Sequence, residues 1–150
     1  MNKIILTITL FIFLNGCGYT PIYSNKNFDL KFSNILYTKN NSLEHKIEKK
    51  LRSFSNDKSQ KIIAVKLNTK KKINILTKDV KGNPSRYEMN IKIDLVITHN
   101  NNETINKSFE ERFNYKINVN RFELRQYEKE IEDLLISKNI ETIISYLSGL

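Results

Sequence analysis

The chain of 150 residues holds one thiol, Cys17, and its placement is what gives it chemical interest. It follows Leu14-Asn15-Gly16, where an apolar run from Ile4 to Leu14 ends behind the single positive charge of Met1-Asn2-Lys3. A peptidase can cut behind a residue as small as Gly16, which would leave the only sulfur at the new N-terminus. Residues 1–16 therefore read as a secretory signal peptide, too short to span a membrane as a helix. Other chemistry has little to stand on. His45 and His99 are the only histidines and lie in unlike contexts, so neither a zinc site nor a histidine-dependent triad is supported. With no second cysteine, disulfides and cysteine metal sites are excluded. Glu110 and Glu111 are neighbours on a predicted strand and point to opposite faces. Glu128, Glu132 and Asp133 share a predicted helix with Lys129, as a solvated charged face would. There is no P-loop, Gly-x-Ser-x-Gly elbow or His-Glu-x-x-His run. The expectation is a protein that is not an enzyme and carries no cofactor or metal.

The run into Cys17 resembles the lipobox of bacterial lipoproteins. That resemblance implies a diacylglycerol on the Cys17 sulfur, cleavage before it, and acylation of the new amine. At about 0.8 kcal/mol per buried methylene, two or three chains anchor a protein firmly. Gly18 stands where an aspartate would signal inner-membrane retention, so the implied location is the outer membrane, lipid-anchored on its periplasmic face.

The elements that must position everything else follow from periodicity. Residues 17–27 are a lipidated N-terminus and tether, and residues 28–150 form one domain able to bury a single core. Phe28, Leu30 and Phe32 alternate with polar residues as a first strand. Asn41 or Ser42 caps a helix with apolar Leu43, Ile47, Leu51 and Phe54 on one face. Ile63, Val65, Leu67, Ile73 and Ile75 keep one parity across Lys70-Lys71-Lys72, so 61–77 is one long strand with a basic middle. A turn over 78–85 contains Gly82-Asn83-Pro84. Tyr87 to Ile97 then alternate as the cleanest strand, and a tip at 99–103 leads to a fourth bearing Ile105, Phe109, Phe113, Tyr115, Ile117 and Val119. Asn120 with Glu123 starts a last helix. Its apolar residues fall into two sets. Leu124, Tyr127, Ile131, Leu134 and Leu135 lie on one side; Ile136, Ile140, Ile143, Ile144 and Leu147 lie nearly opposite. Either this helix breaks near Ser137-Lys138-Asn139, or its end meets a second surface, and the latter makes Ile140, Ile143, Ile144 and Leu147 a candidate partner interface. The order β-α-β-β-β-α predicts an α+β two-layer sandwich: a largely antiparallel four-stranded sheet with two helices on one face.

The formal charge is +9, or +8 once Lys3 is cleaved away. Lysine, asparagine and isoleucine make up 61 of the 150 residues and alanine occurs once, so an AT-rich composition accounts for part of the excess. Its distribution is uneven. Residues 39–92 hold 15 basic and 5 acidic side chains, whereas residues 93–150 hold 7 and 10. An exported protein meets little nucleic acid, and the anion available at an outer membrane is a phosphorylated glycolipid.

The Cys17-Gly18-Tyr19-Thr20-Pro21-Ile22-Tyr23 start, the Gly82-Asn83-Pro84-Ser85-Arg86-Tyr87 turn into an alternating strand, and the Ile143-Ile144-Ser145-Tyr146-Leu147 ending resemble the lipopolysaccharide-assembly lipoprotein LptE family in its alphaproteobacterial form. The likeness spans the mature chain. It implies the same two-layer fold, a plug inside the outer-membrane barrel LptD, and a part in delivering lipopolysaccharide to the outer leaflet, with no homo-oligomer. In that setting Lys78, Lys81 and Arg86 at one end of the sheet, with Lys70, Lys71 and Lys72, are the candidate lipopolysaccharide-binding residues. Arg86 has a guanidinium able to grip a phosphate with two parallel hydrogen bonds; a pair with Glu88 is its alternative. The alternative for the whole chain is an independent periplasmic lipoprotein that binds a small ligand or peptide. Intact-mass analysis of membrane-extracted protein should show a mature N-terminus at Cys17 bearing acyl chains. An uncleaved chain with an unmodified thiol would rule the anchor out.

Overall fold

A computed structural model describes residues 28–39, 41–99, 103–117 and 120–150. The signal peptide, Cys17, the tether, the tip residues 100–102 and Val119 lie outside the described residues.

The expected order is observed: β1 (Lys31–Tyr37), α1 (Ser42–Arg52), β2 (Ile62–Lys78), β3 (Pro84–His99), β4 (Glu103–Lys116) and α2 (Arg121–Ser148). The sheet runs β1-β2-β3-β4. β2, β3 and β4 are antiparallel, joined by hairpins, while β1 is parallel to β2 because α1 carries the chain back across the sheet. Alternation sends Ile63, Val65 and Leu67 of β2 and Met89 to Ile97 of β3 to the helix side, where they are buried. β1 departs from simple alternation. Its register shifts between Phe32 and Asn34, so Ser33 is an extra residue and Phe32 and Ile35, three apart, both enter the core.

Each helix begins where its side chains satisfy the first N–H groups. The Asn41 Oδ1 accepts from the Glu44 N–H at 2.9 Å, and the Asn120 Oδ1 from the Phe122 N–H at 2.9 Å. α1 buries Ile47 and Leu51 against β1 and β2. α2 packs on β3 and β4 and, along its flank, on α1.

The helix α2 is unbroken, and Ile140, Ile143, Ile144 and Leu147 are not a partner surface: each is at most 1% exposed, inside the core. The physical reason is geometric. Ile131, Leu135, Asn139, Ile143 and Leu147 recur every fourth residue and all are buried. Four residues turn a helix by about 40° more than a full revolution, so this stripe winds by roughly 160° over its length. The side of α2 that turns from the sheet is met by α1 and the residues after it: Lys46 bonds Glu132 and Asp133, Lys50 bonds Ser137, and Phe54 lines one cleft with Ile140. The second surface is thus supplied by the domain itself. Asn139, the polar member of the stripe, is fully buried and donates from Nδ2 to the carbonyls of Ile91 (3.1 Å) and Leu135 (3.2 Å).

Ile143→Ala should lower the stability of the isolated chain by about 2–5 kcal/mol, the cost of a cavity at a closed core site. Urea titration reads this directly, and an unchanged midpoint would put Ile143 on the surface.

Candidate functional site

The site is built on what the helices leave uncovered. Along β2 the burial ends at Thr69, and every residue from Lys70 to Lys78 is exposed. Ile73 and Ile75 keep the parity of the core residues yet are 42% and 51% exposed, since α1 starts beside Thr69 and offers nothing further out. Leu76 is the extra residue of a register shift between Ile75 and Thr77, and it too is exposed. Val80 sits fully exposed in the turn. The end of the β2–β3 hairpin therefore projects beyond the helical layer with bare apolar side chains.

The turn itself is held by a residue that charge counting overlooked. Asp79 accepts from the N–H of Lys81 (2.8 Å) and of Asn83 (2.9 Å), and Gly82 adopts a φ of 82° that a Cβ would strain. The Asn83 N–H bond is the main reason the Asp79 carboxyl lies below its ordinary range. An acidic residue three before a glycine is a turn signal legible in sequence. Register places Lys78 opposite Pro84 and Arg86 opposite Thr77, so Lys78, Lys81 and Arg86 do gather at this end. Arg86 makes no ion pair among the described residues; Glu88 instead accepts from Asn74 Nδ2 at 3.4 Å.

The lysine run divides. Lys70 and Lys72 are exposed and make no ion pair within 4 Å among the described residues, although the Lys70 charge acts on Asp94, whereas Lys71 reaches over the sheet to Glu132 of α2 at 2.7 Å. Glu132 also accepts from Lys46 of α1 at 2.6 Å, and Asp133 from the same ammonium at 3.2 Å. One carboxylate thereby ties α1, α2 and β2 together. Burial pushes the Glu132 carboxyl up, but the hydrogen bonds from Lys46 and Lys71 outweigh it and hold it below the usual range. Lys71 is a structural cation, and the glycolipid candidates reduce to Lys70, Lys72, Lys78, Lys81 and Arg86.

Where hairpin meets body, Tyr115 is buried and donates from its hydroxyl to Glu128 at 2.6 Å. Desolvation, then that carboxylate, push its pKa well above the ordinary value. Its ring lies 5.8 Å from Tyr87 and 6.1 Å from Tyr127, so an aromatic cluster closes the core at the base of the projection. Among the described residues no group of three or more His, Cys, Asp or Glu could hold a metal ion.

A mixed four-stranded sheet with both helices on one face is a fold found in solved lipoproteins of Gram-negative bacteria. The chain is similar to rare lipoprotein B of Shewanella oneidensis at 15% identity, covering 77% of this chain and 95% of that one, with a TM-score of 0.57. It is similar to a minor lipoprotein of Acinetobacter baumannii at 8% identity, over 81% and 92% of the two chains, with a TM-score of 0.60. An uncharacterized lipoprotein B of Nitrosomonas europaea matches at 12% identity over 81% and 86%, also with a TM-score of 0.60. At such identities the likeness is one of fold. No family model matches the chain, and no curated protein does.

Because the Glu132 folded-state pKa is depressed, the group adds stability above its unfolded value of about 4.3 and loses that contribution as pH falls through the folded value. Glu132→Gln should therefore cost about 1–2 kcal/mol at pH 7, between the range for exposed pairs and that for buried ones. In denaturant titrations the gap between variant and parent should close below about pH 4; a gap independent of pH would mean that the charge contributes nothing.

Proposed function

We propose that the protein is a lipid-anchored assembly factor of the outer membrane, not an enzyme, which seats as a plug in an LptD-type β-barrel and turns its hairpin end toward the phosphates of lipopolysaccharide. The observation that carries this reading is the composition of that end. Ile73, Ile75, Leu76 and Val80 stand exposed among Lys70, Lys72, Lys78, Lys81 and Arg86, on a projection that the domain's own helices do not cover. Bare apolar side chains next to unpaired cations suit a setting that is both apolar and anionic, as a glycolipid at a barrel wall is. The likeness of fold to lipoproteins and the lipobox-like run into Cys17 support the same setting. The rigid Asp79 turn would then fix the cations before the ligand arrives, which lowers the ordering cost of binding.

Extraction of the full-length lipoprotein in mild detergent should bring a β-barrel with it, whereas an independent periplasmic binder would come out alone. Replacing Lys78, Lys81 and Arg86 together by glutamine should weaken capture of lipopolysaccharide, most at low salt, and leave the barrel complex intact. Unchanged capture at low salt would reject the cationic end as the contact, and loss of the barrel would reassign these charges to the protein interface.

A further inference from the structure

β1 pairs with β2 only as far as Leu67, and from Asn68 outward that edge of β2 has no neighbouring strand among the described residues. The carbonyls of Lys61 and Leu67 point toward β1, where they accept from the N–H of Lys31 and Thr38. Every second residue of a strand repeats that direction, so the N–H and C=O of Thr69, Lys71, Ile73 and Ile75 turn to the same side. The start of α1 faces Thr69 across an open cleft, and Thr69 is 2% exposed. Beyond it every residue of β2 is exposed, and the register shift between Ile75 and Thr77 ends the regular run. Lys71 to Ile75 is therefore a bare edge of roughly 17 Å, the length of one short added strand.

The two faces beside this edge differ. On the helix side Ile73 and Ile75 are bare, and Lys71 is taken up by Glu132. Alternation sends Lys70, Lys72 and Asn74 to the other side. There Lys70 lies opposite Lys92, and both charges act on one carboxylate, Asp94, which Lys92 holds at 3.0 Å. Lys72 lies opposite Asn90, and Asn74 is bonded to Glu88. This face of the edge is short of negative charge, while the helix-side face is short of apolar cover.

We propose that the edge from Lys71 to Ile75 takes up an extended segment of a partner protein, one whose residues alternate apolar and acidic, as an added strand of the sheet. Its main chain pairs with the N–H and C=O groups of Lys71, Ile73 and Ile75, its apolar residues lie beside Ile73 and Ile75, and its carboxylates lie beside Lys70 and Lys72. Charge disfavours two other occupants. A second copy paired edge to edge would set the lysines of one β2 against those of the other. Residues 17–27 of the chain itself contain no carboxylate. The outer edge of β4 is open as well, but Glu103, Glu110 and Glu111 there balance Lys107, Arg112 and Lys116, so it selects no sign of charge. The inference does not rest on the barrel partnership, since the same edge is open in an independent lipoprotein.

The test adds blocked seven-residue peptides to the full chain in detergent and follows amide hydrogen exchange by NMR. A peptide alternating valine with glutamate should bind saturably and slow exchange at the amides of Lys71, Ile73 and Ile75, while those of Lys70 and Lys72, which alternation turns to β3, keep their rates. N-methylation then reads the main-chain bonds. In an antiparallel addition the valine N–H groups face β2, and in a parallel one the glutamate N–H groups do, so methylating one set should weaken binding about tenfold and methylating the other should not. Lys70→Glu with Lys72→Glu should reverse the preference toward a peptide with lysine in place of glutamate. The proposal is overturned if the alternating peptide does not bind, if both methylated sets bind alike, or if a peptide with its valines and glutamates in separate blocks binds as well, because attraction would then be diffuse. It is overturned in favour of a second copy if raising the protein concentration alone protects the same amides.

Discussion

The sheet is longer than the helical layer that covers it, and most of the molecule's character follows from that mismatch. β2 and β3 hold 17 and 16 residues, roughly 55 Å of extended chain, whereas the 11 residues of α1 reach about 16 Å. α2, with 28 residues and about 42 Å, shields β3 and β4 for most of their length. Only the outer half of β2 is left without cover. Thr69 is the last buried residue on that strand, and the bare ledge, the open edge and the projecting turn all lie beyond it. An uncovered edge of this length would ordinarily invite pairing with other chains, and the lysines along it oppose that for any strand lacking acidic residues.

What keeps the covered part together is that α2 meets the sheet and α1 at once. Its winding stripe is buried in the core, with Asn139 bonding a carbonyl of β3, while Lys50 and Phe54 reach its flank at Ser137 and Ile140. Glu132 works from the helix's outer flank, holding Lys46 of α1 and Lys71 of β2 at once. Packing below and ion pairing above thus fix α1 at the place where the cover stops. The position of the ledge is set by these contacts and not by any break in β2 itself.

Parity in the sequence is enough to find β2, β3 and β4, because a face once committed to the core repeats every second residue even across Lys70-Lys71-Lys72; for β1 it catches only the start, since Phe28 and Leu30 precede a strand that runs from Lys31 to Tyr37. Parity tells which face a residue takes, however, and not whether that face is covered. Ile73 and Ile75 have the same alternation as Ile63 and Leu67 and the opposite fate, a difference made by the length of α1. The bulge at Ser33 was illegible for a related reason, since it depends on pairing with β2. In α2, hydrophobicity alone split one stripe into two because Asn139 read as polar; counting every fourth residue regardless of type would have joined them. The lysine run looked uniform and is not: Lys71 points to the helix side, where Glu132 is within reach, and its neighbours point away.

That last distinction bears on the meaning of the positive charge. A lysine-rich composition scatters cations over any solvated surface, and many here are used locally: Lys46 and Lys71 on Glu132, Arg52 on Glu48, Lys92 on Asp94, Arg112 on Glu110. Compositional drift accounts for such residues without assigning them a ligand. It does not account for the coincidence on the outer half of β2 and its turn, where cations without partners among the described residues occur together with exposed isoleucine, leucine and valine. Water favours the first group and disfavours the second. The face of the sheet away from the helices is built differently, threaded by Asn90–Glu110 and Ser108–Asp94 hydrogen bonds that use polar side chains on one another, whereas the projection leaves both its cations and its apolar side chains without a counterpart among the described residues.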